Sequence, residues 1–260
     1  MFSAERSVAR FGPPARVVAA SALAVSLLLL AGCAGGGDDG DKDRAAPAPA
    51  PTATVTDFGC LSPEQAKAGS VSFPGADGQD VEGYLTGTGG TGLVLAHQAD
   101  GDVCQWVPHA QDLAADGYRV LAVNSAGSEV RELTAAAAYL RSEGVTKLLL
   151  VGASKGGTSV LSAAGAITPP VDAVVSLSAP TTYSGMDASM AVPNLTMPVF
   201  YMAAEFDSPF QDSTKELSKL TEKAKENDLT IVGGSQHGVS MLSDEANYAE
   251  VKAFLKKYGG

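Results

Sequence analysis

Gly152-Ala153-Ser154-Lys155-Gly156 sets one serine between two glycines, directly after the apolar run Leu148-Leu149-Leu150-Val151 and at the head of a helical pattern. A strand that turns sharply into a helix lifts the middle side chain into open space. The flanking glycines let strand and helix approach without a clash. Ser154 then stands at a helix N-terminus, where free N–H groups favour negative charge. The chemistry this points to is attack by a hydroxyl, which is a weak nucleophile until a base takes its proton. The spacing alone arises by chance in a Gly- and Ala-rich chain, where it marks only a tight turn. Its place after an apolar strand gives it weight.

The chain has three histidines from which to draw the base. His109 falls inside a helical pattern and reads as a packing or surface residue. His97 closes the run Leu93-Val94-Leu95-Ala96-His97. His237 lies in Gly233-Gly234-Ser235-Gln236-His237-Gly238, between the last strand pattern and the closing helix pattern. A loop flanked by glycines suits a catalytic base, and a carboxylate must then fix its tautomer. Asp207, in Ala204-Glu205-Phe206-Asp207, follows an apolar run at 198–203 and keeps the chain order Ser, Asp, His. Glu205 and Asp187 compete for that role.

The elements that position these residues are legible from periodicity. Ser70-Val71-Ser72-Phe73 and Val81-Glu82-Gly83-Tyr84-Leu85 alternate around Asp77-Gly78 and predict an antiparallel hairpin. Further strands are predicted over 92–96, 118–123, 147–151, 171–177, 198–203 and 229–232. Helices are predicted over 108–116, 129–143, 155–166, 212–226 and 244–258. Such alternation argues for an α/β fold, a mostly parallel central sheet with helices on both faces. Ligands sit beyond the carboxyl ends of such strands, and Ser154, Asp207 and His237 all fall just after one.

Residues 1–32 read as a lipoprotein signal peptide. Arg6, Arg10 and Arg16 precede a short apolar stretch, which closes on Leu30-Ala31-Gly32-Cys33. The stretch is shorter than the roughly 20 residues of a membrane span. Cys33 is the expected lipidation site. The chain is then exported and held by lipid on the outer face of the bacterial cell membrane, or in the periplasm. Residues 33–58, rich in Gly/Asp and then Ala/Pro, read as a disordered tether, and 59–260 as the folded domain. Outside the cytoplasm the two remaining cysteines, Cys60 and Cys104, are expected to pair; two free thiols are the alternative. A net charge of -11 with no basic run argues against a nucleic-acid partner. No His/Cys cluster has metal-ligand spacing, so no metal is expected.

At Leu93 to Gln98, Gly152 to Gly157, Asp207 and His237-Gly238, the chain resembles the α/β-hydrolase superfamily, nearest its dienelactone hydrolase and small bacterial esterase branch. The resemblance covers about residues 70–258. It implies the α/β-hydrolase fold, a Ser-Asp-His triad and an oxyanion hole, with no cofactor. One oxyanion donor would be the backbone N–H of Lys155. The other would follow His97, at Ala99, where Gln98 stands in place of the family's glycine. His97 would anchor that loop. Dienelactone hydrolases use Cys where this chain has Ser154, which puts their own reaction in doubt here. Residues 178–197, where relatives insert a cap, leave room for a minimal one.

The expected activity is hydrolysis of small carboxylic esters through an acyl-enzyme. The alternatives are an acyltransferase of the cell envelope and a non-catalytic binding lipoprotein on the same scaffold. The Lys155 side chain leaves the first helical turn. It either attracts a carboxylate-bearing substrate, or points to solvent or pairs with a nearby acid.

Overall fold

The computed structural model describes residues 55–76, 78–127 and 129–260. The expected signal peptide, Cys33 and the expected tether up to residue 54 lie outside the described residues, as do Asp77 of the hairpin turn and Ser128. The first half of the fold runs α1 (Pro63–Gly69), β1 (Ser70–Pro74), β2 (Asp80–Thr86), β3 (Thr91–Ala96), α2 (Val107–Ala115), β4 (Arg119–Asn124), α3 (Glu129–Ser142) and β5 (Lys147–Ala153). The second runs α4 (Lys155–Ala164), β6 (Ala173–Leu177), β7 (Thr182–Tyr183), β8 (Met186–Asp187), α5 (Ala188–Ala191), β9 (Val199–Ala204), α6 (Phe210–Leu220), β10 (Asn227–Val232) and α7 (Glu245–Gly259).

Eight strands form one sheet in the order β1-β2-β4-β3-β5-β6-β9-β10. Strand β2 is antiparallel to β1 and β4, and every other neighbouring pair is parallel. The register levels the carboxyl ends: Ala96 faces Gly152, Gly152 faces Ser176, Leu177 faces Met202 and Val232 faces Ala204. Loops that leave those ends therefore emerge side by side.

Strands β3, β5, β6 and β9 are buried on both faces, which is why they read as continuous apolar runs rather than alternating ones. On one face Val94, Leu121, Leu150, Val174 and Val199 pack against Leu133 and Leu140 of α3, Val160 and Leu161 of α4, and Leu217 of α6. On the other, Leu95, Val120, Leu149, Val175 and Phe200 meet Ala110 and Leu113 of α2, and Val251, Phe254 and Leu255 of α7. Each large side chain so enclosed contributes about 1.5–3 kcal/mol relative to exposure.

Helices α6 and α1 depart most from the sequence reading. Helix α6 begins at Phe210 and stops at Leu220, not at 226. Asn227 takes over its last carbonyls, with Nδ2 donating to Ser218 O at 2.7 Å and to Thr221 O at 3.2 Å. Thr221 Oγ1 donates to Leu217 O at 2.7 Å. The charged stretch beyond leads into β10 as a loop. Helix α1 was not expected at all. Ser62 caps it reciprocally with Gln65: Ser62 Oγ accepts from the Gln65 N–H and Gln65 Oε1 from the Ser62 N–H, with Pro63 in the first turn.

Residues 178–197 form the two short strands β7 and β8, the single turn α5 and a 3-10 turn, Val192–Asn194. Ala188, Val192 and Leu195 are buried. The segment is thus fastened to the core.

A disulfide joins Cys60 and Cys104, with Cα atoms 5.8 Å apart. It ties the turn ahead of α1 to the 3-10 turn Val103–Gln105 that follows β3. The bridge spans 44 residues in sequence. Reduction should lower the unfolding free energy by up to about 4 kcal/mol in the chain-entropy model. Denaturant midpoints measured with and without reductant check this; equal midpoints would show that the bridge constrains nothing.

Candidate active site

Ser154 joins β5 to α4 with φ 51 and ψ -117, a conformation that costs a non-glycine residue about 1–3 kcal/mol. The turn is held on both sides. The Ser154 N–H donates to Leu177 O at 2.8 Å, and Ser154 O accepts from the Thr158 N–H at 3.1 Å. A Cβ on Gly152 would lie 2.1 Å from Gly156 O, and one on Gly156 would lie 2.2 Å from Ala96 O. Both glycines are therefore sites of close backbone approach, and Gly156 brings the head of α4 onto the end of β3.

His237 leaves β10 on its glycine-rich loop. That loop is joined to the loop after β9, since the Phe206 N–H donates to Gly234 O at 2.8 Å. Asp207, buried, then meets the imidazole: its two carboxylate oxygens lie 2.9 and 3.0 Å from His237 Nδ1. Nδ1–H donates to the carboxylate, which leaves Nε2 free to take a proton. The Phe210 ring packs on the imidazole with centroids 4.3 Å apart.

The structure does not bring the other two acids to His237. Glu205 is exposed. Asp187 caps α5, accepting from Met190 N–H at 3.1 Å and Ser189 Oγ at 2.6 Å. Those two hydrogen bonds hold its carboxyl below the ordinary aspartate range. Among the described residues no hydrogen bond joins Ser154 to His237. The two loops meet at Gly238, where a Cβ would lie 3.2 Å from the Ala153 Cβ.

His97 is buried beneath the loop after β3. Its Nε2 accepts from the Ser125 N–H at 3.1 Å, so Nδ1 carries the hydrogen and donates to Gln98 O at 2.7 Å. Burial, above all, lowers its pKa and keeps the ring neutral. His97 thereby fastens the loop after β3 to the loop after β4. The Gln98 N–H is taken by Gln105 Oε1 at 3.0 Å. Among the described residues the N–H groups of Ala99 and Lys155 have no hydrogen-bond partner. His109, in α2, packs edge-on between Trp106 and Tyr248 of α7.

The Lys155 side chain is buried, with Nζ 3.5 Å from Glu129 Oε1 at the start of α3. It pairs with an acid of the protein itself. The sequence marked Gln98 only as a replacement for the family's glycine, and did not single out Glu129, Gln105, Ser178 or Phe210. Glu129, Ser178 and Phe210 owe their places near the site to partners distant in sequence, Lys155, Gly238 and His237.

The sequence matches no family model and no curated protein. Solved structures do match. An esterase domain from a Rhodothermus marinus protein aligns with TM-score 0.61 at 19% identity, covering 74% of this chain and 98% of that one. An esterase from Rhodococcus sp. aligns with TM-score 0.60 at 19% identity, over 74% and 100%. Dienelactone hydrolase from Anabaena variabilis aligns with TM-score 0.58 at 19% identity, over 74% and 97%. Sheet order, connections and these likenesses together give the chain the α/β-hydrolase fold.

Proposed function

We propose that this protein is a serine hydrolase that cleaves small carboxylic esters. The observation that carries the reading is the shared sheet edge: Ser154 in its strained turn, and His237 with Nδ1 held by Asp207. The esterases among the solved structures of this fold agree with it. Ser154 Oγ attacks the ester carbonyl carbon while its proton passes to His237 Nε2. The carbonyl π pair moves onto oxygen, where the unpartnered N–H groups of Lys155 and Ala99 stabilise it. Collapse breaks the bond to the alkoxy oxygen, and that oxygen takes the proton from Nε2 as the alcohol leaves. Water then attacks the acyl-Ser154 carbonyl with His237 again as base. The carboxylic acid departs and Ser154 regains its hydrogen. Asp207 orients the imidazole and stabilises its charged form throughout.

Ser154→Ala or His237→Ala should each cut ester hydrolysis by about ten-thousand-fold or more, and the double variant should lose little further. Asp207→Asn should fall on a similar scale, whereas Asp187→Asn should stay near wild type. Steady-state rates on an ester panel measure all five. A fluorophosphonate probe that fails to modify Ser154 in the folded wild type would leave a binding protein on this scaffold instead.

The segment 178–197 is short and fastened to the core, which leaves little chain from which to build a long acyl tunnel, so short acyl chains should turn over faster than long ones. Lys155, paired with Glu129, should not select charged substrates. The rate ratio of a neutral ester to its carboxylate-bearing analogue should therefore be the same in wild type and Lys155→Met. A ratio that shifts in the variant, and shifts less at high salt, would assign the ammonium a role in recognition.

We read the protein as exported and held at the membrane by lipid on Cys33. Cys33→Ser should release the protein from the membrane fraction or block its processing. Retention of fully processed Cys33→Ser protein would count against lipid as the anchor.

A further inference from the structure

We infer that Gln98 is a positioning residue that sets His237 and the Ala99 N–H in one geometry, so that the general base and the oxyanion donor are aligned together. This rests on the hydrolase reading of the same site. The loop that carries His237 is intrinsically loose: Gly234 and Gly238 sit at φ 102 and 57, and Gly233 adds a third glycine. Asp207 fixes the ring but not the backbone that follows it. That backbone is held by two side chains from other loops. The Gly238 N–H donates to Ser178 Oγ at 3.1 Å, and the Val239 N–H donates to Gln98 Oε1 at 2.8 Å.

Gln98 is fixed from every side. Its own N–H donates to Gln105 Oε1, its carbonyl accepts from His97 Nδ1–H, and its Nε2 donates to Asp100 Oδ1 at 3.3 Å. It is 8% exposed, so water offers little replacement for these bonds. Its amide also fills the space that glycine leaves open at position 238, where a Cβ would lie 2.4 Å from Gln98 Oε1. The next residue is Ala99, whose N–H has no hydrogen-bond partner among the described residues. A shift of Gln98 therefore moves the loop of the base and the loop of the oxyanion donor at once. Misplacement of reacting groups by about 1 Å is enough to cost on the order of a hundredfold in rate.

The test replaces the acceptor while keeping the volume. Gln98→Met should lower kcat by about ten- to a hundredfold with KM nearly unchanged, and should slow fluorophosphonate modification of Ser154 to a similar degree. Gln98→Glu combined with Asp100→Asn keeps an oxygen in reach of the Val239 N–H, removes the carboxylate that would repel the new acid, and should recover most of the lost kcat. Gln98→Asn keeps the amide but is one methylene too short, and carries the same expectation as Gln98→Met should that variant not fold. Wild-type kcat and labelling in both Gln98→Met and Gln98→Asn would overturn the inference. So would an equal loss in Gln98→Met and in the Gln98→Glu, Asp100→Asn pair, because an acceptor within reach of the Val239 N–H would then make no difference. Wild-type protein that leaves Ser154 unlabelled would instead sink the hydrolase reading itself, which keeps the two failures apart.

Discussion

The backbone of Ser154 is held in a conformation it would not choose, and the middle of the sheet is built around holding it there. At φ 51 the residue pays a local penalty that only tight surroundings can offset. Those surroundings are close backbone contacts: α4 lies on β5 through Gly152 and on the end of β3 through Gly156, at distances where a single methyl would not fit. The hydrogen bond from Ser154 N–H to Leu177 O ties the same turn to β6. Three neighbouring strands thus meet at one residue. The free N–H of Lys155, the direction of the hydroxyl and the approach of the loop after β3 all follow from that contact.

Around this turn the carboxyl edge holds several buried polar groups, and hydrogen bonds from His97, Gln98, Ser178 and Asp207 cross between loops. His97 ties the loop after β3 to the loop after β4, Ser178 ties the loop after β6 to the loop after β10, and Asp207 does so from β9. Lys155 and Glu129 join the heads of α4 and α3 as a buried ion pair. Such a pair is poor evidence of net stabilisation, because desolvation consumes most of the attraction. Its effect is geometric: the cation beside the proposed nucleophile is already spoken for. A sheet edge built this way keeps loops rich in glycine in one arrangement without a covering lid. The short segment 178–197 stays down on the core.

The chain by itself determined a good deal. Continuous apolar runs marked the buried strands, glycines and prolines marked several helix C-termini, and a serine in a glycine-flanked turn after a strand marked the candidate nucleophile. These signals are local, carried by residues within one or two turns of each other. The capping box at Ser62 and Gln65 is equally local. Helix α6 ends short of its periodicity because amphipathic charge continues past Leu220, while Asn227, across the following loop, takes its last carbonyls. The tertiary structure alone decided that Asp207 rather than Glu205 or Asp187 meets His237, that Lys155 faces Glu129, and that Gln98 reaches Val239. Each is a contact between side chains or loops that the sheet register brings together from far apart along the chain. Periodicity reports which face of an element is buried, but not what lies against it.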